Sequence, residues 1–156
     1  MVRRDVTRVQ DRFAFVVPAV LRIAVELKPV VKRRVRPGVA GQRGEEAAYF
    51  YLRQRGYVIV ARNYRPLRHR GEIDLIGWDQ DELCFIEVKT RSSRAVMPAE
   101  AAVDVPKQAM LRATARTYLR KIKEIPPLRF DVVSLYYERE GTSPDIILFR
   151  NAFPVT

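Results

Sequence analysis

Apolar and polar residues alternate most regularly between Gly71 and Arg91, GEIDLIGWDQDELCFIEVKTR, and the alternation predicts two strands joined by a tight turn at Gln80-Asp81. With a two-residue loop there, antiparallel pairing sets residues whose numbers sum to 161 opposite one another. Asp74 then faces Glu87, and Glu72 faces Lys89. Successive side chains point to opposite faces of a strand, so all four leave the same face of the ribbon. The other face carries Ile73, Leu75, Ile86 and Val88, a surface suited to a core. Cross-strand neighbours have Cβ atoms about 4.5–5.5 Å apart, a separation at which like charges are destabilising. Two facing carboxylates therefore ask for a cation between them.

Around this ribbon the periodicity predicts the order α-β-β-β-α-β-β. Gly41 to Gly56 has helical spacing, with Glu45, Ala48 and Leu52 on the face turned to the sheet and Gly56 suited to a left-handed cap. Tyr57 to Ala61 is rich in β-branched residues and reads as a short strand. Arg62 to Arg70 then reads as a connector with four arginines. Pro106 suits the first turn of a helix running to about Lys123, whose apolar stripe is Leu111, Ala115, Tyr118, Leu119 and Ile122. Lys107 lies one turn ahead of Leu111 on that stripe, so it projects from the N-terminal end of the helix toward the sheet. Arg112, Arg116 and Arg120 form a row on a different face. Arg129 to Tyr137 is nearly continuous in apolar character, as an interior strand is, and Asp145 to Arg150 reads as the last strand. The pattern implies an α/β fold, a mixed β-sheet with flanking helices, with no internal repeat and no glycine-rich phosphate loop.

Length and charge add an appendage to this picture. The 156 residues suit one domain, residues 38–156, and a basic N-terminal extension, residues 1–37, that is helical or disordered. Of the formal net charge of +11, the extension supplies ten Lys/Arg against three Asp/Glu. Such a surplus attracts polyanions, either nucleic acid or an anionic membrane surface. The apolar run Phe13 to Leu21 is nine residues long, against the ~20 that a span requires, so no membrane span is expected. No cleavage pattern follows it, and a cytoplasmic protein is expected. Cys84 is the single cysteine, which excludes a disulfide framework within the chain and points to a packing role.

The chemistry concentrates on Asp74, Glu87 and Lys89, spaced D-x12-E-x-K. Two carboxylates on adjacent strands suit a hard divalent cation such as Mg²⁺ or Mn²⁺, with the backbone carbonyl of Val88 a further candidate ligand. Lys89 is placed to position an attacking water or to stabilise charge at phosphorus, and Glu72 to tether Lys89. The competing reading is a solvated face whose Glu72–Lys89 ion pair is worth ~0–1 kcal/mol. Against it, Ile76, Trp78, Leu83 and Phe85 share that face, and an acidic pair beside large apolar groups is costly without a compensating cation. Arg65, Arg68 and Arg70 in the connector, Arg91 after the hairpin, and Lys107, Arg112 and Arg116 on the long helix are the candidate contacts to a nucleic acid. A solvated loop and a solvated helix face are the alternatives for them.

These residues also carry a resemblance. G-E-I-D-L-I and F-I-E-V-K-T-R, preceded by Gly41, Gly44, Glu45, Ala48, Tyr51 and Leu52 in the pattern G-x-x-G-E-x-x-A-x-x-Y-L, resemble the YraN-type uncharacterised proteins. Those are similar to the PD-(D/E)XK nuclease superfamily and distantly to archaeal Holliday-junction resolvases. The resemblance covers about Gly38 to Tyr137 and includes Asn63-Tyr64-Arg65, Lys107 and Arg129-Phe130-Asp131. It implies a restriction-endonuclease-like fold and a metal-dependent endonuclease acting on DNA, possible substrates being branched or otherwise structured. By the same resemblance Asp74 and Glu87 are metal ligands, Lys89 is the catalytic lysine, and Glu45 is a helix carboxylate completing the site. Residues 1–37 have no counterpart in the pattern, and the segment Ser92 to Pro98 lacks an expected Phe-Gly. Two other functions stand beside the nuclease: a non-catalytic nucleic-acid-binding module of the same fold, and a membrane-surface-associated protein recruited through its extension. Cutting two strands would take two sites, hence a homodimer, for which the sequence shows no interface.

Overall fold

A computed structural model describes residues 39–67, 70–91, 103–137 and 143–156. Helix α1 (Val39–Gln54) buries Ala48 and Leu52 completely, as their spacing predicts. It stops in a glycine cap. Gly56 takes φ 90 and its N–H donates to the Arg53 carbonyl at 3.1 Å, while the Tyr57 N–H reaches the Leu52 carbonyl at 3.1 Å. That pair of bonds satisfies carbonyls the helix leaves open and turns the chain straight into the sheet.

The strands are β1 (Val58–Tyr64), β2 (Ile73–Asp79), β3 (Glu82–Arg91), β4 (Leu128–Tyr136) and β5 (Asp145–Phe153), with helix α2 (Val105–Leu119) between β3 and β4. They form one sheet in the order β1-β2-β3-β4-β5. Every neighbouring pair is antiparallel except β3 and β4. A parallel pair needs a crossover connection, and α2 lies in it. The sheet is therefore mixed and the element order is the one the periodicity predicts.

Hairpin register follows the expected rule over five pairs, from Asp79 opposite Glu82 to Leu75 opposite Ile86, with Gln80 taking the left-handed φ of 58 that the tight turn demands. The ladder ends there. Two boundaries differ from the sequence reading. Strand β1 runs on to Tyr64, so Arg62 and Asn63 are strand residues rather than the start of a connector. Helix α2 ends at Leu119, short of Lys123, and Asp104 caps its start by accepting the Lys107 N–H at 2.8 Å.

The two helices cover opposite faces. Leu75, Cys84, Ile86, Val133 and Leu135 form one core with Ala48 and Leu52 of α1. Ile76, Phe85 and Phe130 point the other way and are buried with Leu111, Ala115 and Tyr118 of α2. An aromatic chain runs through this second core, Tyr64–Tyr118–Phe85–Phe130–Phe153, with centroid separations of 5.1, 5.8, 5.6 and 4.7 Å. Rings so placed bury a large apolar area and gain from edge-to-face and offset contact. The charged half of the hairpin lies on the same face as α2.

No helix among the described residues is long and apolar enough to cross a membrane. The extension 1–37, Arg68, His69 and the segment Ser92 to Pro98 lie outside the described residues.

Candidate functional site

Past Leu75 and Ile86 the pairing changes character. Asp74 Oδ2 accepts the backbone N–H of Val88 at 2.7 Å, so the carboxylate takes a bond the ladder would otherwise use. Glu87, on the next strand, is 4% exposed. Its Oε1 lies 2.9 Å from Nζ of Lys89 and 2.9 Å from Nζ of Lys107. Its Oε2 is buried and has no hydrogen-bond partner among the described residues. Lys107 reaches this point from the first turn of α2, where the apolar stripe aims it.

Burial raises the Asp74 carboxyl and the charge of Glu87 raises it further, against the Val88 N–H and Lys107, so that its pKa moves from 3.8 to about 7. The charge of Glu45 adds to the same upward push. Glu45 stands on α1 and is held by β1: Asn63 Nδ2 donates to its Oε2 at 2.5 Å. Asn63 does so from a left-handed backbone, φ 49, a conformation that costs a residue other than glycine. The helix is set close to the sheet at this level, because a Cβ on Gly44 would lie 2.0 Å from Thr90 Oγ1. The charges of Glu87 on β3 and of Glu45 on α1 are thus both felt at Asp74 on β2.

Glu72 does not face Lys89. It precedes β2, where the ladder has ended, and it pairs with Arg65 instead. That bond raises the Arg65 guanidinium pKa, and the charges of Glu45 and Asp74 also contribute. Among the described residues Lys89 pairs with Glu87, and 30% of its side chain is exposed. In the parallel register Lys89 stands beside Ser134, whose Oγ is buried without a hydrogen-bond partner.

Among the described residues no three His, Cys, Asp or Glu are grouped as a metal set. A hard divalent cation that keeps most of its waters needs only one or two carboxylates. Asp74 and Glu87 fit such an ion on two counts: a buried carboxylate oxygen without a partner among the described residues, and an acid whose ionisation is disfavoured by burial and by its neighbour's charge, both of which a cation would offset.

A second buried charge cluster, which the sequence pattern did not reveal, lies on the α1 face. Arg129 donates through Nε to Asp131 at 3.0 and 3.2 Å, and through Nη2 to Asp79 at 2.6 Å and the Tyr57 hydroxyl at 2.9 Å; it also pairs with Glu82. Tyr57 in turn donates to Asp131 at 3.2 Å, and the Asn151 N–H donates to Asp131 at 2.9 Å. Burial alone would lower the guanidinium pKa, but its bonds to Asp131 and Asp79 more than reverse that.

The remaining basic candidates scatter. Arg70 and Arg116 are exposed, and Arg91 is half-buried at the end of β3. Arg112 is engaged by the C-terminal segment, donating to the Pro154 carbonyl at 2.9 Å and lying 5.5 Å from the Phe153 ring centroid. Arg68 lies outside the described residues. Asn63, the partner of Glu45, enters only through the resemblance, because a β1 expected to end at Ala61 gives Asn63 no direction.

Residues 44–135 match the model of the Uncharacterised protein family UPF0102, a span that contains Glu45, Asp74, Glu87, Lys89 and Lys107. Curated relatives include UPF0102 proteins of Koribacter versatilis, 53% identical over 72% of this chain and 78% of the relative, and of Solibacter usitatus, 46% identical over 79% and 92%. One from Acetivibrio thermocellus is 41% identical over 73% of this chain and 90% of its own. With the match spanning the helix–sheet unit, the chain belongs to the UPF0102 family.

Proposed function

We propose that the chain is a cytoplasmic, divalent-metal-dependent endonuclease of restriction-endonuclease-like fold that hydrolyses phosphodiester bonds in DNA. The observation that carries this reading is Glu87 Oε2, buried without a partner among the described residues, beside an Asp74 whose acidity burial and the neighbouring carboxylate suppress. Asp74 and Glu87 would hold Mg²⁺ or Mn²⁺. Such an ion supplies a Lewis acid that orients the phosphodiester and neutralises developing charge. The chain's own groups do the rest. The Val88 N–H fixes the Asp74 carboxylate at 2.7 Å. Asn63 fixes Glu45, which stands ready to order water at the rim of the pair. Lys89, partly exposed, carries the ammonium that meets the phosphate or the attacking water. Arg65 adds a second cation beside the acids, tied in place by Glu72. Branched DNA is the substrate class suggested by the likeness to resolvases, and cutting both strands would need two copies of the site.

A cleavage panel of linear, flapped and four-way DNA with Mn²⁺, Mg²⁺ or EDTA tests the reading. Metal-dependent cutting that Glu87→Gln and Lys89→Met abolish is expected. If Mn²⁺ neither raises the melting temperature nor supports cleavage of any DNA or RNA, the nuclease reading fails. Binding of DNA without cleavage would then favour the non-catalytic module.

A further inference from the structure

Each carboxylate oxygen can accept hydrogen bonds, so two ammonium groups on one carboxylate can be shared between its two oxygens. Around Glu87 they are not. Lys89 and Lys107 both stand 2.9 Å from Oε1, and Oε2 is left buried without a partner. The two lysines differ in origin. Lys89 is two residues along the same strand, whereas Lys107 comes from α2 and links that helix to the sheet.

A lysine is also misplaced where Lys107 sits. The first turn of a helix presents unpaired N–H groups and the positive end of the dipole, which favour acids and disfavour cations. Helix α2 has no acidic residue in its first turn, and its cap Asp104 bonds the Lys107 N–H from outside it. Helix stability therefore gives no reason for a cation here; the partner on β3 does.

Taking the metal reading of the site as its basis, we propose that Lys107 is a resident counter-ion for the carboxylate pair. Without a divalent ion its ammonium holds Glu87 and keeps the buried acids compatible with folding. A divalent ion competes with that charge, so the protein binds metal more weakly than the carboxylates alone would. When the ion is bound, the Lys107–Glu87 pair loosens, and the freed ammonium serves the phosphate on the same face as Lys89.

The test is Mn²⁺ binding to the full chain without nucleic acid, followed by calorimetry and by the melting temperature. Lys107→Met, similar in length and uncharged, is expected to tighten Mn²⁺ binding at least about tenfold, a lower bound because a unit charge about 4 Å away at an effective dielectric of ~20 is worth roughly a thousandfold. The same variant should melt lower than wild type in EDTA and recover that loss in saturating Mn²⁺. Lys107→Arg should keep wild-type affinity. A merely structural lysine would lower the melting temperature equally with and without metal. Unchanged or weaker Mn²⁺ binding by Lys107→Met, with wild type binding normally, overturns this proposal alone. Absence of Mn²⁺ binding by wild type and variant overturns the metal reading and this proposal together. A measurement on wild type covers the case in which the variant does not fold: Mg²⁺ should shift the ¹³Cε resonance of Lys107 and leave that of exposed Lys123 in place. A Lys107 resonance that Mg²⁺ leaves unmoved refutes the exchange.

Discussion

The two charge clusters on this sheet are built on opposite principles. Around Arg129, near the β2–β3 turn, donors and acceptors close on one another: the guanidinium meets Asp79, Glu82 and Asp131, and Arg129, the Tyr57 hydroxyl and the Asn151 N–H satisfy Asp131 although it is 0% exposed. Around Glu87, farther along β3, one oxygen takes two ammonium groups and the other takes nothing. The first arrangement is what burial alone requires, since buried polar groups are costly unless paired. The second is not explained by burial. That difference between two clusters on one sheet is what supports the proposal that a ligand completes the second.

The sharpest way to break this contrast is at Arg129. Arg129→Met strands the buried Asp131 carboxylate, and removing one partner of such a cluster costs about 3–5 kcal/mol. The urea midpoint should fall accordingly, and Mn²⁺ should not restore it. A loss below about 1 kcal/mol would mean that the closed cluster is ornamental.

Asp74 is expected to show the reverse. Its folded pKa, about 7, lies above the ordinary 3.8, so the folded protein favours the protonated acid. The contribution of this group to metal-free stability is full below pH 4 and is lost as the pH rises to 7 and beyond. Asp74→Asn, which keeps an acceptor for the Val88 N–H, should therefore be more stable than wild type in EDTA at pH 8, by about 1–2 kcal/mol given the solvent that reaches the site. The gap should close toward pH 4, and saturating Mn²⁺ should reverse the order. Glu87→Gln should not share the gain, because Lys89 and Lys107 lose their charged partner. A pH-independent gap between Asp74→Asn and wild type would remove the case for like-charge repulsion.

A smaller effect is expected between the clusters. Gly44→Ala places a methyl against Thr90 Oγ1 and should cost about 1 kcal/mol, with Thr90→Ala in the same chain relieving most of it. Cleavage by the single variant should fall further than its stability does, since Glu45 moves with the helix. Equal losses would leave Glu45 without a role.

The sequence made the open cluster legible because it is local. Asp74, Glu87 and Lys89 lie in one hairpin, whose two-residue turn fixes the facing pairs as far as Leu75 and Ile86. The facing pairs expected beyond that point, Asp74 with Glu87 and Glu72 with Lys89, lie outside the ladder, because Asp74 spends its carboxylate on the Val88 N–H and the ladder stops. Lys107 could be aimed at the sheet because a helix stripe, unlike a loop, carries direction. The closed cluster stayed hidden for the opposite reason. Tyr57, Asp79, Glu82, Arg129 and Asp131 stand at the edges of different elements, and no periodicity links them; Arg129 and Asp131 enter only through the resemblance, with no role attached.

That dispersion sets when the Arg129 cluster can form. Apart from the local Arg129–Asp131 pair and the Asn151–Asp131 bond, its bonds join residues 47, 50, 72 and 74 positions apart, and these cannot close before most of the sheet is assembled. Contacts made after the rate-limiting barrier slow escape from the native state and do little to hasten arrival. Arg129→Met should accordingly steepen loss through a faster unfolding rate, with the refolding rate nearly unchanged, which makes this cluster the latch that sets how long the folded chain survives between unfolding events.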